Sequence, residues 1–419
     1  MSLVPDTADV VVVGGGPGGA ATAARLAYAG LDTVLLEKFE YPREKVCGDG
    51  ITPRAVKALD DLGLSHRFSS YHKVIGLRAI GYGQRLELPW PDHPVYPSFG
   101  LTSPRSMLDS DIAHFAKECG AAVLDGHEAT RPLVVNGVLR GVHVLDKKSL
   151  MQRTIEAEFL VVADGSLSRI GRALGAVRDR AYPMGIAMRG YYQSPKDRDP
   201  WIEARLDLSH RGERLPAYGW IFPLGDGSIN VGVGLLTSYK GWKEVNTARL
   251  QDTFVEAIGP DWGVLPEDAI SKPKGGKLPM GLAIDPKAGA NWLAIGDAAA
   301  GINAFTGEGI GYALEMAEIA SEMIIDSKRR GKALCQTEYA RTLQNFYGPY
   351  YKAAQLFAYL IGKPKLLDLF GKVGMRSKGI MSWFLVVAGH LGNPLDRGAV
   401  SRLYYTIEKV IKAYPSVAA

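Results

Sequence analysis

At 419 residues the chain is longer than one hydrophobic core usually supports, so two closely joined domains are expected. Hydrophobic residues at 47% and charged residues at 22% are ordinary for a globular protein and exclude a low-complexity or disordered chain. A net charge of +5 is too small at this length to point to nucleic acid, though it suits a phosphate-rich cofactor or an anionic membrane surface.

In chain order, residues 9–13 (Asp-Val-Val-Val-Val) read as a buried parallel strand. An Ala-rich helix is expected from Pro17 to Ala29, closed by Gly30, and a second strand over 33–36 ends at Glu37. This is a βαβ unit. A charged, glycine-rich loop runs from Lys38 to Gly50, followed by a helix from Pro53 to Leu62. Residues 76–100 alternate polar and apolar positions as a strand layer with turns would, and 104–119 read as an amphipathic helix. Strands follow at 138–145 and 155–162. From about 181 to 285 the pattern is strand-like with little helical periodicity, which predicts an inserted sheet domain. A short strand over 291–296, a helix from about Gly309 to Ser327 and a mostly helical remainder, 335–419, complete the reading.

Cys47, Cys119 and Cys335 have neither metal-ligand spacing nor an even framework, so no metal and no structural disulfides are expected. No signal-peptide pattern and no apolar run long enough to span a bilayer occur. A cytoplasmic location, on or near the cytoplasmic face of the membrane, is therefore expected.

The first motif is Gly14-Gly15-Gly16-Pro17-Gly18-Gly19, a G-x-G-x-x-G directly after a strand and opening a helix. Gly14 permits the tight turn, Gly16 lets a pyrophosphate approach the backbone, and Gly19 lets helix and strand pack closely. The pyrophosphate would sit on the positive end of the helix, and Glu37 is placed to accept hydrogen bonds from ribose hydroxyls. The motif alone does not separate FAD from NAD. No second such unit follows, so a reductant, NAD(P)H or an electron carrier, must act on the cofactor directly.

Two later motifs choose the flavin. Val161-Val162-Ala163-Asp164-Gly165 resembles the Asp-Gly motif of flavoprotein hydroxylases and their relatives. Ile295-Gly296-Asp297-Ala298-Ala299, with Gly307-Glu308-Gly309-Ile310-Gly311, resembles their Gly-Asp motif, whose aspartate binds the ribityl chain. Arg105 matches the arginine that opens the long helix in that superfamily, near the flavin. Electrostatics agree with this: reduced flavin carries negative charge that a helix N-terminus stabilises.

The segment Tyr41-Pro42-Arg43-Glu44-Lys45-Val46-Cys47-Gly48-Asp49-Gly50 resembles the loop of the geranylgeranyl reductase family that lies beside the flavin, with Asp49 departing from the family's glycine. Tyr218-Gly219-Trp220-Ile221-Phe222-Pro223 resembles that family's segment lining the lipid pocket. Several whole segments are most similar to actinobacterial menaquinone reductases, which saturate one isoprene unit of the quinone tail. Taken without the family, the aromatic face of 218–222 reads as plain core, and Cys47 as an inert small residue.

The resemblance implies an α/β (mixed α+β) fold: a glutathione-reductase-like FAD-binding Rossmann domain with an inserted antiparallel-sheet substrate domain, like that of p-hydroxybenzoate hydroxylase, and a helical C-terminal region. The FAD domain is expected over 1–75, 101–180 and 286–330, the substrate domain over 76–100 and 181–285, and the helical region over 331–419. Cofactor contacts are expected from Gly14, Gly16, Pro17, Gly18, Gly19, Glu37, Lys38, Cys47, Gly48, Asp49, Gly50, Arg105, Asp164, Gly165, Gly296, Asp297, Gly307, Gly309 and Ile310. Tyr218, Trp220, Phe222 and Pro223 are expected to line the substrate pocket.

The implied chemistry is hydride transfer from reduced FAD to an isoprenoid double bond, with a proton from water or Cys47. Three alternatives stay open: a geranylgeranyl diphosphate or ether-lipid reductase, a flavin monooxygenase or halogenase, and a non-enzymatic prenyl carrier. A lipid substrate implies peripheral membrane contact. The apolar stretch 379–391, preceded by Lys363, Lys365, Lys372, Arg376 and Lys378, suits either docking on anionic lipid or burial as a C-terminal helix.

Overall fold

The computed structural model describes residues 4–392. The part of the expected helical remainder beyond 392 lies outside the described residues.

The chain opens with strand β1 (Thr7–Val13), helix α1 (Pro17–Tyr28) and strand β2 (Thr33–Leu36). Val10 to Val13 are flanked by parallel neighbours on both sides, β2 and the strand Gln152–Val162, so no face of the run meets water. That explains why it is β-branched throughout rather than alternating. The sheet continues outward through Ala122–Leu124 beside β2, and Trp292–Ala294 pairs in parallel with the end of Gln152–Val162. An antiparallel hairpin, His127–Val135 and Val138–Asp146, completes it. Helix α2 (Pro53–Leu62) starts on a Thr52 side-chain cap and ends at Gly63 in the left-handed region. Helix α3 (Arg105–Glu118) packs on α1, and the short α4 (Arg169–Ala173) follows the first sheet.

A second seven-stranded sheet runs Lys274–Leu278, Gly185–Gln193, Ser228–Leu236, Ala217–Pro223, Trp201–Arg205, Gly76–Gly81, Gln84–Pro89. All its pairings are antiparallel except Trp201–Arg205 with Gly76–Gly81. The early segment thus joins strands more than 100 residues later in the chain. It supplies only two strands here, because residues 90–99 form no regular element.

One expectation fails inside this sheet region. Helix α5 (Thr247–Trp262) stands where little helical periodicity was expected. Its signal is present: Leu250, Phe254, Val255, Ile258 and Trp262 recur at helical spacing and are buried. The Asn246 side chain accepts from the amides of Ala248 and Arg249, and Gly263 closes the helix at φ +65°. α5 covers the sheet face carrying Ile221, Ile229, Val231 and Val233. Burying one such side chain contributes about 1.5–3 kcal/mol, so the helix is held by its contacts rather than by propensity.

Helix α6 (Ile310–Arg330) lies against α1, and α7 (Gln336–Ile361), α8 (Pro364–Met375) and α9 (Lys378–Ala388) follow. Met381 and Leu385 of α9 are buried with Leu88 and Trp90. The apolar stretch 379–391 therefore turns part of its surface into the molecule. No helix among the described residues is long and apolar enough to cross a membrane.

Candidate functional site

A single cavity of about 1120 Å³ runs from the glycine turn after β1 to the helices α7–α9. At its first end the local sequence dictates the shape. Gly14 has φ +104°, and a Cβ there would stand 2.3 Å from the carbonyl oxygen of Ala163. A Cβ at Gly19 would stand 1.9 Å from the Gly14 carbonyl oxygen. At Gly16 a Cβ would meet only Arg105 Nη2 at 3.6 Å and Arg43 Nη2 at 4.0 Å, so the space above this residue is open toward two guanidinium groups. Gly16 caps α1 without a side chain, leaving first-turn amides directed at the cavity.

Glu37, at the end of β2, accepts from the Gly15 amide at 2.9 Å and from Arg43 at 3.0 Å. Arg43 also reaches Asp109 at 2.8 Å, and Arg105 grips the same carboxylate through Nε and Nη2 at 2.6 and 2.7 Å. Two arginines and two acids thus form one buried chain under the turn. Asp164 accepts from the amides of Arg169 and Ile170 through Oδ2, while Oδ1 is buried without a partner. Burial pushes the Asp164 carboxyl up, with the Ser168 side chain and the amides of Ile170 and Arg169 pulling the other way.

The loop 47–50 forms the middle of the cavity. Asp49, which departs from the family's glycine, sits at φ +64° and so keeps the left-handed backbone a glycine would supply. Its Oδ2 accepts from Tyr191 Oη at 2.7 Å and Asn230 Nδ2 at 2.8 Å, while Oδ1 is buried and unpartnered. Burial pushes this carboxyl up to about 6 against the pull of both donors. Asn230 Nδ2 also donates to the Cys47 carbonyl, and Asn230 Oδ1 accepts from Trp220 Nε1 at 2.9 Å. One asparagine therefore ties the loop to the strand Ala217–Pro223. Burial pushes the Cys47 thiol up, and Arg105 pulls it down less strongly.

That strand shows its two faces clearly. Tyr218, Trp220 and Phe222 face the cavity as a ladder with ring centroids 5.9 and 6.5 Å apart, while Ile221 joins the core under α5. A Cβ at Gly50 would stand 2.9 Å from Phe222 Cε2, so the ring rests directly on the loop. Pro223 does not line the cavity: the pleat turns its ring to the other face, and its backbone carbonyl accepts from Thr102. Beyond the ladder the lining is apolar, with Leu77, Trp90, Ile202, Phe357, Phe370, Met381 and Phe384.

The remaining wall is the turn before α6. Gly296, Asp297, Gly307, Gly309 and Ile310 all line the cavity, and Gly309 caps α6 without a side chain. Tyr218 Oη donates to the Thr306 carbonyl at 2.5 Å, which anchors the aromatic ladder to this turn. Every other sequence-predicted site residue, including Pro17, Gly18, Lys38, Gly48 and Gly165, also lines the cavity.

Sequence reasoning missed Asn230, Tyr191, Thr52 and Glu308. An asparagine inside Ser228-Ile-Asn-Val-Gly-Val was the available signal for the first, because a buried polar side chain in an apolar strand needs a partner. Glu308, between two glycines at a helix start, was the signal for the last. The apolar end drawn from α7–α9 had no local signal.

FAD fits these residues. Two uncapped helix N-termini open on one cavity, guanidinium groups lie under the glycine turn, and buried carboxylate oxygens of Asp164 and Asp49 lack partners.

Comparison with known proteins agrees. The FAD binding domain family matches residues 7–189. The menaquinone reductase of Mycolicibacterium smegmatis is 37% identical over 403 residues, which is 95% of each chain. Digeranylgeranylglycerophospholipid reductase 1 of Methanopyrus kandleri is 30% identical over 325 residues, 76% of this chain and 80% of that one. Among solved structures, a geranylgeranyl bacteriochlorophyll reductase-like protein from Thermoplasma acidophilum matches with a TM-score of 0.73 at 21% identity, covering 98% of this chain and 100% of that one; it shares the fold. Likeness at that level along nearly the whole chain, on a cavity built for a flavin dinucleotide, establishes that the protein belongs to the geranylgeranyl reductase family of FAD-dependent oxidoreductases, the family of the menaquinone reductases.

Proposed function

We propose that the protein saturates one carbon–carbon double bond in the isoprenoid side chain of a menaquinone. The observation that carries this reading is the continuity of the cavity, polar at the glycine turn and apolar from the aromatic ladder to α7–α9. A molecule with a long apolar tail can lay one isoprene unit beside Cys47 with the rest of the tail in the apolar end. The 37% identity to a menaquinone reductase supports the quinone over a diphosphate or ether lipid, and the reductases among its relatives favour reduction over oxygenation or halogenation.

In this reading the amides of α1 and the glycine turn hold the pyrophosphate, Glu37 the ribose, and Asp297 the ribityl chain. Arg105, Asp164 and the 47–50 loop, which line the same cavity, would hold the flavin. Bound there in its reduced form, FAD would supply the hydride for one alkene carbon. Cys47 holds the proton for the other carbon: burial keeps the thiol protonated, and Arg105 stabilises the thiolate left when Sγ gives the proton up. Water then restores the thiol. Trp220 and Phe222 exclude water and hold the alkene over the ring. The reductant, a nicotinamide or an electron carrier, would reach the flavin through the same cavity.

Membrane contact is assigned to the outer face of α8 rather than to 379–391 as a whole. Leu369, Phe370 and Val373 are exposed there with Ile380 of α9, and Phe370, Val373 and Ile380 also line the cavity. Lys363, Lys365, Lys372, Arg376 and Lys378 lie on the same stretch. An apolar rim with basic neighbours fits docking on anionic lipid, from which the tail passes straight into the cavity.

The test is anaerobic. Dithionite-reduced protein is mixed with a menaquinone bearing an unsaturated tail, and the product is weighed after the ring is reoxidised. Two hydrogens retained in the tail support the proposal. A gain only with geranylgeranyl diphosphate or an ether lipid overturns the quinone, and oxygen-dependent turnover without tail saturation overturns the reductase reading. In the same assay Cys47→Ala should slow turnover about 100-fold with flavin content unchanged; undiminished turnover removes Cys47 as the acid.

A further inference from the structure

Glu308 is a half-buried acid on the cavity wall that the reading above does not use. Its Oε1 accepts from Thr52 Oγ1 at 2.5 Å, and its Oε2 is sealed from solvent with no hydrogen-bond partner. It stands in the turn that opens α6. A Cβ on the next residue, Gly309, would lie 3.6 Å from Asp297 Oδ1, and Tyr218 holds the same turn through the Thr306 carbonyl. Glu308 thus sits where the Gly-Asp turn, the uncapped end of α6 and the aromatic ladder meet.

Five groups face it: Thr52 at the cap of α2, Arg54 on α2, Tyr312 and Glu315 on α6, and Tyr96 from the loop after Gln84–Pro89. Arg54 is already gripped by both oxygens of Glu315 and by the His390 carbonyl. Glu308 is therefore left with one hydrogen-bond donor and a cation already paired to Glu315. Burial pushes its carboxyl up to about 7; Thr52 and Arg54 pull it down, and Glu315 pushes it up. A second negative charge delivered to the end of α6 would favour the neutral form further.

We propose that Glu308 takes up one proton each time the bound flavin takes up two electrons, and releases it when the flavin is reoxidised. The balance is simple. The flavin gains an electron pair from the reductant and one proton from water at N5, and the Glu308 carboxylate gains a second proton from water to become a carboxylic acid. Two electrons and two protons enter together, so the net charge on the site is unchanged. The residue compensates charge and is not asked to touch the alkene. This inference rests on FAD-dependent reduction alone, so it survives a change of isoprenoid substrate.

The experiment is the pH dependence of the flavin midpoint potential, measured on FAD-loaded protein with redox dyes from about pH 6 to about pH 9. Above about pH 7, where Glu308 in the oxidised protein is a carboxylate, the wild type should approach two protons per electron pair, and Glu308→Gln should take up only one over the same range. Thr52→Val, which removes the donor to the charged form, should move the two-proton region to higher pH. Equal slopes in wild type and Glu308→Gln overturn the proposal. Infrared difference spectra of the wild type give a check that needs no variant. Reduction should bring up a protonated-carboxyl band that shifts when glutamate is carbon-13 labelled, and absence of that band also overturns the proposal.

Discussion

The two ends of the cavity are built by opposite means. The glycine-turn end comes from a few consecutive residues, and backbone atoms do most of the shaping: Gly14, Gly16 and Gly19 are defined by what a Cβ would strike or leave open. The apolar end gathers Leu77 and Trp90, Ile202, and residues of α7, α8 and α9 from distant parts of the chain. A backbone-built site fails at a single atom. A side-chain-built wall should tolerate exchange of one apolar group for another of similar volume.

The most damaging change is therefore expected at the turn. Gly14→Ala must place a Cβ at φ +104° and 2.3 Å from a backbone oxygen. FAD affinity should fall by about 100-fold or more, read as lost flavin absorbance after gel filtration. A yellow, fully loaded Gly14→Ala protein would break the contrast between the two ends.

Asp49 lies between the ends and sharpens the comparison. Its carboxyl titrates near 6 in the fold, above the ordinary aspartate value of about 3.9. The folded state therefore binds this proton more tightly than the unfolded chain. Stability from it is fully present below about pH 4 and is lost as pH rises through about 6. Asp49→Asn keeps an oxygen for Tyr191 and Asn230, accepts the left-handed backbone, and carries no charge. Its thermal midpoint at pH 7 should exceed the wild type's by roughly 2–4 °C, with the two converging in acid. A lower midpoint at pH 7 would show that the charge itself holds the loop.

The smallest effect belongs to the rim of the apolar end. Replacing Leu369, more than half exposed and outside the cavity lining, by serine should weaken binding to anionic vesicles several-fold in a flotation assay. Turnover with detergent-solubilised substrate should hardly change. Unaltered vesicle binding would move the docking surface away from α8.

Much of the nucleotide end was legible in the sequence because its signals are local. β1, the glycine turn, α1, β2 and Glu37 follow one another within forty residues, and periodicity and turn chemistry report each of them. The Asp-Gly and Gly-Asp motifs were legible for the same reason, since each is a short turn at the end of a strand. Helix α5 was legible in principle and missed, its helical spacing masked by the aromatic and glycine-rich strands around it. Pro223 was misplaced by reading a motif as one surface when a strand presents two.

The sequence by itself determined the cofactor class, the βαβ start and the strand carrying the aromatic ladder, because neighbouring residues impose backbone conformation and alternation directly. Only the tertiary structure decided that Asn230 would bridge Trp220 to the Cys47 loop, that Glu308 would lose water on one oxygen, and that α7–α9 would close the apolar end. Those outcomes depend on which distant surfaces exclude water from one another, and burial of that kind is a property of the packed chain rather than of any segment in it.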